Sequence, residues 1–468
     1  MIVKLLFLKI CLLSLTMGYI PHAGQDPYRA LLERTYNTDY EAPEDTTDEK
    51  PLILTQLLKN NELEKARSVA EVNSNCTMPG VKSYAGYFTV NEKYNGNLWF
   101  WYFPVMDKPV EDTPLILWLQ GGPGASSMYG LFEEIGPFTI SENMEMKKNK
   151  YSWGDKYSLL FIDNPVGTGF SFSNLEGYAT NQTTIAENLY SALQQFMTMF
   201  PNLRRVPFYI AGESYAGKHI PSLAIQIHWH RNADEPINLK GLMIGNGFID
   251  PITLQCSSVF LRETGLIDDR TAKYFAAIEN KTMDDIKKGN IAKAYSDFID
   301  GHLIFRLAAF LPNPYNYLSD SKIFTRKYKK FLETKKMREG LHVGSTKFLE
   351  IGKVYTKLTQ DFMNSAKPWL NELLDHYKVL LYNGHLDTIV PYYPSVNTYN
   401  SLSFSGAAKY KNATREPLMS NDTLLGYYKE GGNLLEVMVR GAGHMVPSDK
   451  PEAALAMLNK FIDWQPST

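Results

Sequence analysis

Ser214 is the residue of this chain whose surroundings most clearly point to chemistry. It lies in the sequence GESYAG at positions 212–217, after an apolar, strand-like run at 208–211 and before a helix-like segment that starts at Lys218. A serine at the apex of a tight strand-to-helix turn needs small neighbours, which the two glycines provide. This nucleophile elbow is typical of enzymes whose serine hydroxyl attacks a carbonyl carbon. The alternative is a glycine-flanked surface turn, because short GxSxG patterns also arise by chance.

A nucleophilic serine needs a base, and the base needs a carboxylate that fixes its tautomer. In hydrolases with this elbow the chain order is Ser, Asp, His. His444 lies in a glycine-containing loop directly after a strand-like run, and Asp387 also follows such a run. Both positions are at carboxyl ends of strands, where the elbow also opens. The sequence therefore predicts a catalytic triad of Ser214, Asp387 and His444.

Other histidines, and another role for Asp387, are alternatives to this triad. The glycine loop at a strand end favours His444 as the base over three histidines near the motifs, His219, His376 and His385. A separate HxH pair at 228–230 would not share one helix face and has no third ligand nearby, so we predict no metal site. The alternative role for Asp387 is to cap its own turn.

A second glycine-rich sequence, WLQGGPG at 118–124, follows another apolar strand-like run. Backbone amides freed by glycine can bind the negative charge that develops on a carbonyl oxygen, and we expect the amides of Gly122 and Tyr215 to do so. A phosphate-binding loop would need the pattern GxxxxGK[ST], which is absent. A plain tight turn is the remaining alternative.

The elements that must position these residues alternate between strands and helices. Helical patterns cover 185–200, 272–298 and 453–464, and short apolar or aromatic runs predict strands at 86–90, 98–103, 115–119, 158–162, 208–211, 242–244, 379–382 and 435–439. This alternation predicts an α/β fold with a mostly parallel sheet and helices on both faces. Residues 251–367 lack strand signals and are expected to form a helical cap insertion, which divides the core into 81–250 and 368–468.

Length and charge restrict the class of protein further. A chain of 468 residues with 44% hydrophobic content can bury a large core as one large or two moderate domains. Residues 1–18 resemble a secretory signal peptide, and residues 19–80 are interpreted as an N-terminal extension or propeptide. No later run is long enough to predict a membrane span. The 48 basic and 50 acidic residues give a formal charge of -2, which argues against a nucleic-acid partner.

Cysteines and glycosylation motifs fit the secretory route. After removal of the signal peptide the chain keeps Cys76 and Cys256, which allow one disulfide but do not require it. Five Asn-X-Ser/Thr motifs predict glycosylation, at Asn75, Asn181, Asn280, Asn412 and Asn421. The expected location is therefore outside the cell or in a lysosome-like acidic vesicle. Whether two copies form a homodimer is left open.

Taken in order, these motifs resemble those of the serine carboxypeptidases, in which WLxGGPG, GESYAG, a strand-end aspartate and a GxGH-type histidine succeed one another. The amino-acid sequences of the segments 118–124, 163–172 and 82–86 are most similar to those of the vitellogenic-like branch. The resemblance covers roughly residues 80 to 468. It implies an α/β-hydrolase fold and a serine exopeptidase that releases single C-terminal amino acids at acidic pH through an acyl-enzyme, without a metal or cofactor.

The resemblance also implies a site for the terminal carboxylate of a peptide. The positions that match it are Gln120, the amide of Gly121, Glu134 and Glu213, and Met445 is expected to line the substrate pocket. When two carboxyl groups are held close together, repulsion between the charges disfavours ionisation of both. The pair therefore shares a proton, and one apparent pKa is raised. The protonated pair can donate a hydrogen bond to a substrate carboxylate, whereas the ionised pair repels it.

Three positions depart from the family pattern. Gln120 replaces the more usual asparagine, a feature that the vitellogenic-like branch shares. Ala125 replaces a cysteine, and the several cap disulfides of many members cannot form here. Glu133 stands where an apolar residue often lines the pocket, which affects substrate preference. Two other functions therefore stay open: an esterase or acyltransferase using the same triad, and a secreted binding protein, against which the intact triad argues.

Overall fold

This computed structural model describes residues 49–321 and 327–466, in which one large sheet organises the chain. The strands are β1 (Tyr84–Asn91), β2 (Gly96–Phe103), β3 (Leu115–Leu119), β4 (Phe138–Ile140), β5 (Met146–Lys148), β6 (Ser158–Ile162), β7 (Phe208–Glu213), β8 (Leu239–Gly245), β9 (Lys378–Gly384), β10 (Glu416–Ser420), β11 (Thr423–Gly431) and β12 (Leu434–Val439). The large sheet has the order β1-β2-β6-β3-β7-β8-β9-β12-β11-β10, and β4 and β5 form a separate hairpin.

The helices of the described residues lie before, between and after these strands. They are α1 (Thr55–Lys59), α2 (Leu63–Ala70), α3 (Gln182–Met199), α4 (Ala216–Trp229), α5 (Ser257–Glu263), α6 (Asp269–Lys287), α7 (Ile291–Ala309), α8 (Lys327–Leu332), α9 (Lys335–Gly340), α10 (Gly352–Leu358), α11 (Lys367–Leu374), α12 (Tyr392–Asn400), α13 (Ala407–Asn412), α14 (Val446–Asp449) and α15 (Pro451–Asp463). A π-helical turn covers Gly130–Ile135. The described residues between β8 and β9 form helices α5 to α11.

The centre of the sheet is parallel, as the sequence predicts. Strands β6, β3, β7, β8, β9 and β12 pair in parallel, and antiparallel strands complete both edges. Alternate residues of β3 face opposite sides: Leu117 belongs to the apolar cluster that includes α3 and α4, whereas Trp118 belongs to the cluster that includes α15. A strand buried on both faces needs this continuous apolar sequence. The carboxyl ends of the parallel strands therefore meet at one edge of the sheet.

Several features differ from the sequence expectation or were missed by it, among them the short hairpin of β4 and β5. Strands β10 and β11 have no clear strand signal, because Pro417 and several half-exposed polar residues interrupt their apolar pattern. Cys76 and Cys256 are free thiols: the Cys76 sulfur contacts the Lys336 carbonyl, whereas Cys256 accepts from the Asn397 amide. The disulfide that the sequence allows is not formed.

The proposed signal peptide, residues 1–18, and the first part of the extension lie outside the described residues. Within the part of the chain that the structure describes, no helix has both the length and the apolar character needed to cross a bilayer.

Candidate active site

Ser214 occupies a strained turn between β7 and α4. Its φ of 62° lies in the left-handed region, which a residue other than glycine adopts only when its surroundings hold it there. The Ser214 amide donates to the carbonyl of Gly245 at 2.9 Å, and its carbonyl accepts from the Phe248 amide at 2.9 Å. The turn is thus anchored to the end of the neighbouring strand β8. The half-buried serine lies at the carboxyl edge of the sheet.

The loops after β8, β9 and β12 supply an asparagine, an aspartate and a histidine to one buried cluster. His444 Nδ1 and Asp387 Oδ2 lie 2.7 Å apart, and both side chains are almost fully buried. Asp387 also accepts from the amides of Ile389 at 2.7 Å and Val390 at 3.1 Å. These bonds fix the carboxylate toward one imidazole nitrogen. His444 Nε2 is buried and has no hydrogen-bond partner among the described residues.

Electrostatics keep the His444 imidazole basic. Burial lowers its pKa, but the charge and hydrogen bond of Asp387, together with the charges of Glu213 and Asp449, outweigh burial, and the net pKa is raised. The alternative bases lie in other surroundings. Burial lowers the pKa of His219 to about 3, and its Nδ1 bonds to Gln182 rather than to a carboxylate. The His376 ring packs against that of His228 with the two planes tilted, and burial lowers the pKa of His385.

The glycine-rich loop after β3 lies directly against the elbow. A Cβ atom on Gly121 would lie 2.6 Å from the Tyr215 amide nitrogen and 2.7 Å from Ser214 Cβ, so only glycine fits there. Gly122 has a φ of 107°, a conformation that side chains rarely adopt. The loop backbone and the first amide after the serine are therefore close enough to act on the same atom.

Glu134 and Glu213 bring two carboxyl groups together beside the elbow. Parallel pairing sets Leu119 level with Gly212, which places Gln120 beside Glu213, and the Gln120 amide donates to Glu213 Oε1 at 2.9 Å. Gln120 is itself held by the Trp118 indole at 3.1 Å. Glu134 lies on the π-helical turn Gly130–Ile135, an irregular helix type that is frequent at functional sites.

Burial is the main cause of the unusual protonation of this pair. It raises the pKa of both carboxyl groups above the ordinary value, and for Glu134 the charge of Glu213 adds to the effect. Both oxygens of Glu134 and Oε2 of Glu213 are buried without a hydrogen-bond partner in the described residues. Buried carboxyl oxygens without partners are costly, and a bound polar ligand would relieve that cost.

Asn246 is a site residue that the sequence analysis missed. Its side chain donates to Asp387 Oδ2 at 2.8 Å and accepts from the Gly384 amide at 3.0 Å. The only sequence signal is the Asn-Gly pair that follows the strand β8, which is typical of a turn and does not specify chemistry. In the structure, Asn246 holds the aspartate loop in place.

We expect Asn246→Ala to lower kcat about ten- to a hundred-fold, because a hydrogen bond to a charged group contributes about 2 kcal/mol. Steady-state kinetics on a blocked dipeptide would measure the loss. The matched control is Asn97→Ala, which removes a buried asparagine of β2 whose side chain donates to the Asn95 carbonyl and accepts from the Thr89 hydroxyl. An unchanged kcat in Asn246→Ala would show that this asparagine does not support the aspartate.

The remaining predicted residues are Met445 and the five asparagines of the glycosylation motifs. Met445 follows His444 directly and is 9% exposed. The asparagines of all five sequons are exposed, at Asn75, Asn181, Asn280, Asn412 and Asn421. The Asn181 side chain also caps α3 by accepting from the Thr184 amide. The described residues contain no group of three or more His, Cys, Asp or Glu that could hold a metal ion.

Comparison with known proteins gives matches that cover most of the chain. The sequence profile of the serine carboxypeptidases, Peptidase S10, matches residues 74–464. The chain is 41% identical over 425 residues to the vitellogenic carboxypeptidase of Aedes aegypti, an alignment that covers 88% of this chain and 90% of that protein. It is 40% identical over 424 residues to the venom serine carboxypeptidase of Apis mellifera, with 88% and 90% covered.

A solved structure shows the same architecture. The crystal structure of Kex1(delta)p, a prohormone-processing carboxypeptidase from Saccharomyces cerevisiae, matches with a TM-score of 0.76 and 25% sequence identity. The match covers 85% of this chain and 96% of that chain. The α/β-hydrolase fold that the sequence implied is confirmed.

Proposed function

Because the chain belongs to the serine carboxypeptidase family, whose members are exopeptidases that act on peptides, we propose that it removes single C-terminal amino acids through an acyl-enzyme on Ser214. Asp387 and His444 complete the triad, and the enzyme is active at acidic pH. One observation carries the proposal: the buried His444–Asp387 pair and the buried carboxyl groups of Glu134 and Glu213, three of whose four oxygens have no partner in the described residues, converge on the elbow.

The proposed reaction has two steps. His444 removes the hydroxyl proton of Ser214 while the serine oxygen attacks the last peptide carbonyl, and Asp387 stabilises the imidazolium that forms. The amides of Gly122 and Tyr215 stabilise the negative carbonyl oxygen. His444 then gives its proton to the departing amino group, the C–N bond breaks, and the terminal amino acid leaves. Water, activated by His444, hydrolyses the ester.

The substrate carboxylate is proposed to bind at the Glu134–Glu213 pair, together with Gln120 and the Gly121 amide, with Met445 beside the leaving residue. A carboxylate can accept a hydrogen bond only from a protonated glutamic acid. Since burial raises the pKa of both glutamates, the pair retains a proton into mildly acidic solution. The protonated fraction falls as pH rises, so binding of a free-acid peptide must weaken in that direction.

We therefore expect the KM of an N-blocked dipeptide with a free carboxyl end to rise from mildly acidic to neutral pH. Glu134→Gln replaces one acid with a permanently neutral amide and leaves Glu213 as the ionising member of the pair. Because an amide donates a weaker hydrogen bond than a carboxylic acid, its KM should be about ten-fold higher at acidic pH and should rise less with pH than that of the wild type. The matched control is Glu176→Gln, which removes an exposed carboxyl group from the separate turn at Leu175–Gly177 and should keep the wild-type rise.

The same KM series distinguishes the alternatives. A wild-type pH dependence in Glu134→Gln would assign the carboxylate site to other residues. Small esters that turn over while free-acid peptides do not would favour an esterase or acyltransferase, since an alcohol can also capture the acyl-enzyme.

We also propose a route through the secretory pathway to the cell exterior or an acidic vesicle. The supporting features are the signal-like residues 1–18 and the exposure of all five glycosylation asparagines. Enzymatic deglycosylation of the secreted chain should increase its electrophoretic mobility, and an unchanged mobility would contradict this route.

We also propose a division of the chain into segments. Residues 19–80 form the extension or propeptide, residues 251–367 form the cap, and the segments 81–250 and 368–468 form the catalytic core.

A further inference from the structure

A segment of the cap region contacts both loops that carry the proposed acid and base. This strap, residues 313–319, follows helix α7. On the aspartate side, the Thr388 amide donates to the Pro314 carbonyl at 3.2 Å, and the Tyr317 amide donates to the Leu386 carbonyl at 3.1 Å. The strap thus bonds to the residues on either side of Asp387.

The strap holds the histidine loop by its backbone and by a ring. The His444 amide donates to the Tyr315 carbonyl at 2.6 Å. The Tyr315 ring packs edge-on against the imidazole, with centroids 5.2 Å apart and planes at 71°. The two contacts restrict both the main chain and the ring of His444.

A side-chain bridge closes the same loop from its far end. Asp449 is the last residue of α14, the short helix that begins two residues after His444. Its Oδ2 accepts from the Gly443 amide at 2.7 Å and from the Asn316 side chain at 2.9 Å. The residue that precedes the base is therefore fixed by a carboxylate, and that carboxylate is oriented by the strap.

We propose that Asn316 and Asp449 are positioning residues that hold His444 in the orientation needed for proton transfer. This inference rests on the proposed triad and extends it to the cap region. Asp449 is exposed, so its carboxylate would turn toward water without the Asn316 amide, and the Gly443 amide would lose its acceptor. Small displacements of a base lower proton-transfer rates strongly, because the reacting atoms must approach within hydrogen-bond distance.

The charge of Asp449 should also affect the pH dependence of the reaction. Three carboxyl groups face His444, those of Asp387, Glu213 and Asp449, and each raises the pKa of the imidazole against the lowering effect of burial. Activity needs the neutral imidazole. Removal of the Asp449 charge therefore moves the acidic limb of the kcat/KM profile to lower pH, whereas removal of the neutral Asn316 amide leaves the limb in place.

The test compares kcat, KM, the pH profile and the melting temperature of full-length variants on an N-blocked dipeptide. Asn316→Ala is expected to lower kcat about ten-fold with KM within about two-fold. Asp449→Asn is expected to lower kcat similarly and to shift the acidic limb downward. The matched control, Asn290→Ala, removes an asparagine–aspartate hydrogen bond to Asp285 elsewhere in the cap region. Its kcat should equal that of the wild type.

Several outcomes would overturn the inference. One is a wild-type kcat in Asn316→Ala, and another is a fall in kcat that the Asn290→Ala control shares together with a lowered melting temperature. If Asn316→Ala does not fold, Asp449→Asn decides alone, and an unchanged kcat and acidic limb would reject the proposal. His444→Ala distinguishes failure of the proposed triad from failure of the positioning role. If His444→Ala is active, the triad is wrong. If His444→Ala is inactive while Asn316→Ala is fully active, only the positioning role is wrong.

Discussion

Replacement of Ser214 by alanine is expected to lower kcat/KM by at least about ten-thousand-fold, because the acyl-enzyme can no longer form. The fold should persist, since alanine removes only a hydroxyl group at this half-buried position. The measurement is release of the terminal amino acid from a blocked dipeptide, beside labelling by an organophosphonate. Loss of activity and loss of labelling should occur together.

A neighbouring serine provides the control for that result. Ser222 lies on α4, the helix that follows Ser214. It is buried, and its hydroxyl donates to the His219 carbonyl at 2.8 Å. Ser222→Ala should keep wild-type kcat and labelling. A Ser214→Ala protein that retained a tenth of the wild-type activity would mean that another nucleophile performs the reaction.

Asp387→Asn is expected to lower kcat by about ten-thousand-fold. The carboxylate oxygen that faces His444 Nδ1 is fixed by Asn246 and by the Val390 amide, so an asparagine there would present the imidazole with either an amide donor or a weaker acceptor. The histidine would then favour the wrong tautomer, with its proton on the nitrogen that must accept one. Single-turnover kinetics of acylation would measure the effect without interference from product release.

An aspartate-to-asparagine substitution outside the site provides the control. Asp375→Asn alters an exposed aspartate just before β9 that accepts from the Ser405 amide. It should leave acylation unchanged. An Asp387→Asn enzyme that acylates within ten-fold of the wild-type rate would show that His444 does not depend on this carboxylate for its tautomer.

The parts of the fold that sequence analysis predicts are those with strong local signals. The runs at 115–119 and 158–162 are continuously apolar, and the structure has strands at those bounds because such segments are stable only between two layers of helices. Strands β10 and β11 lack that signal. They lie at the sheet edge, where half-exposed polar residues are tolerated and the pairing partner provides most of the stability.

The site residues also fall into those that local sequence patterns predict and those that they do not. Glycine patterns indicate the elbow and the loop after β3, since only glycine permits the close approach at Gly121. The partners of those loops are not local. Asn246 reaches Asp387 across 141 positions, and Asn316 reaches Asp449 across 133. An asparagine in a turn has many possible roles, so its function becomes apparent only when the sheet brings the strand ends together.

Glu134 illustrates a second limit. Beside Glu133 in the sequence, it has the pattern of a solvated helix glutamate, and only the family resemblance suggested otherwise. The π-helical turn buries Glu134 to 3% exposure while Glu133 stays half-exposed. Residue type and spacing do not reveal such an irregular turn, and the raised pKa follows from the burial that the turn imposes.

The most direct test of the central proposal compares two substrates of the wild-type enzyme, an N-blocked dipeptide with a free carboxyl end and its C-terminal amide, from mildly acidic to neutral pH. We expect faster turnover of the free acid at acidic pH and an advantage over the amide that disappears as the Glu134–Glu213 pair loses its proton. Equal turnover of acid and amide at every pH, or turnover of neither, would contradict carboxylate recognition by this pair and with it the proposed carboxypeptidase mechanism.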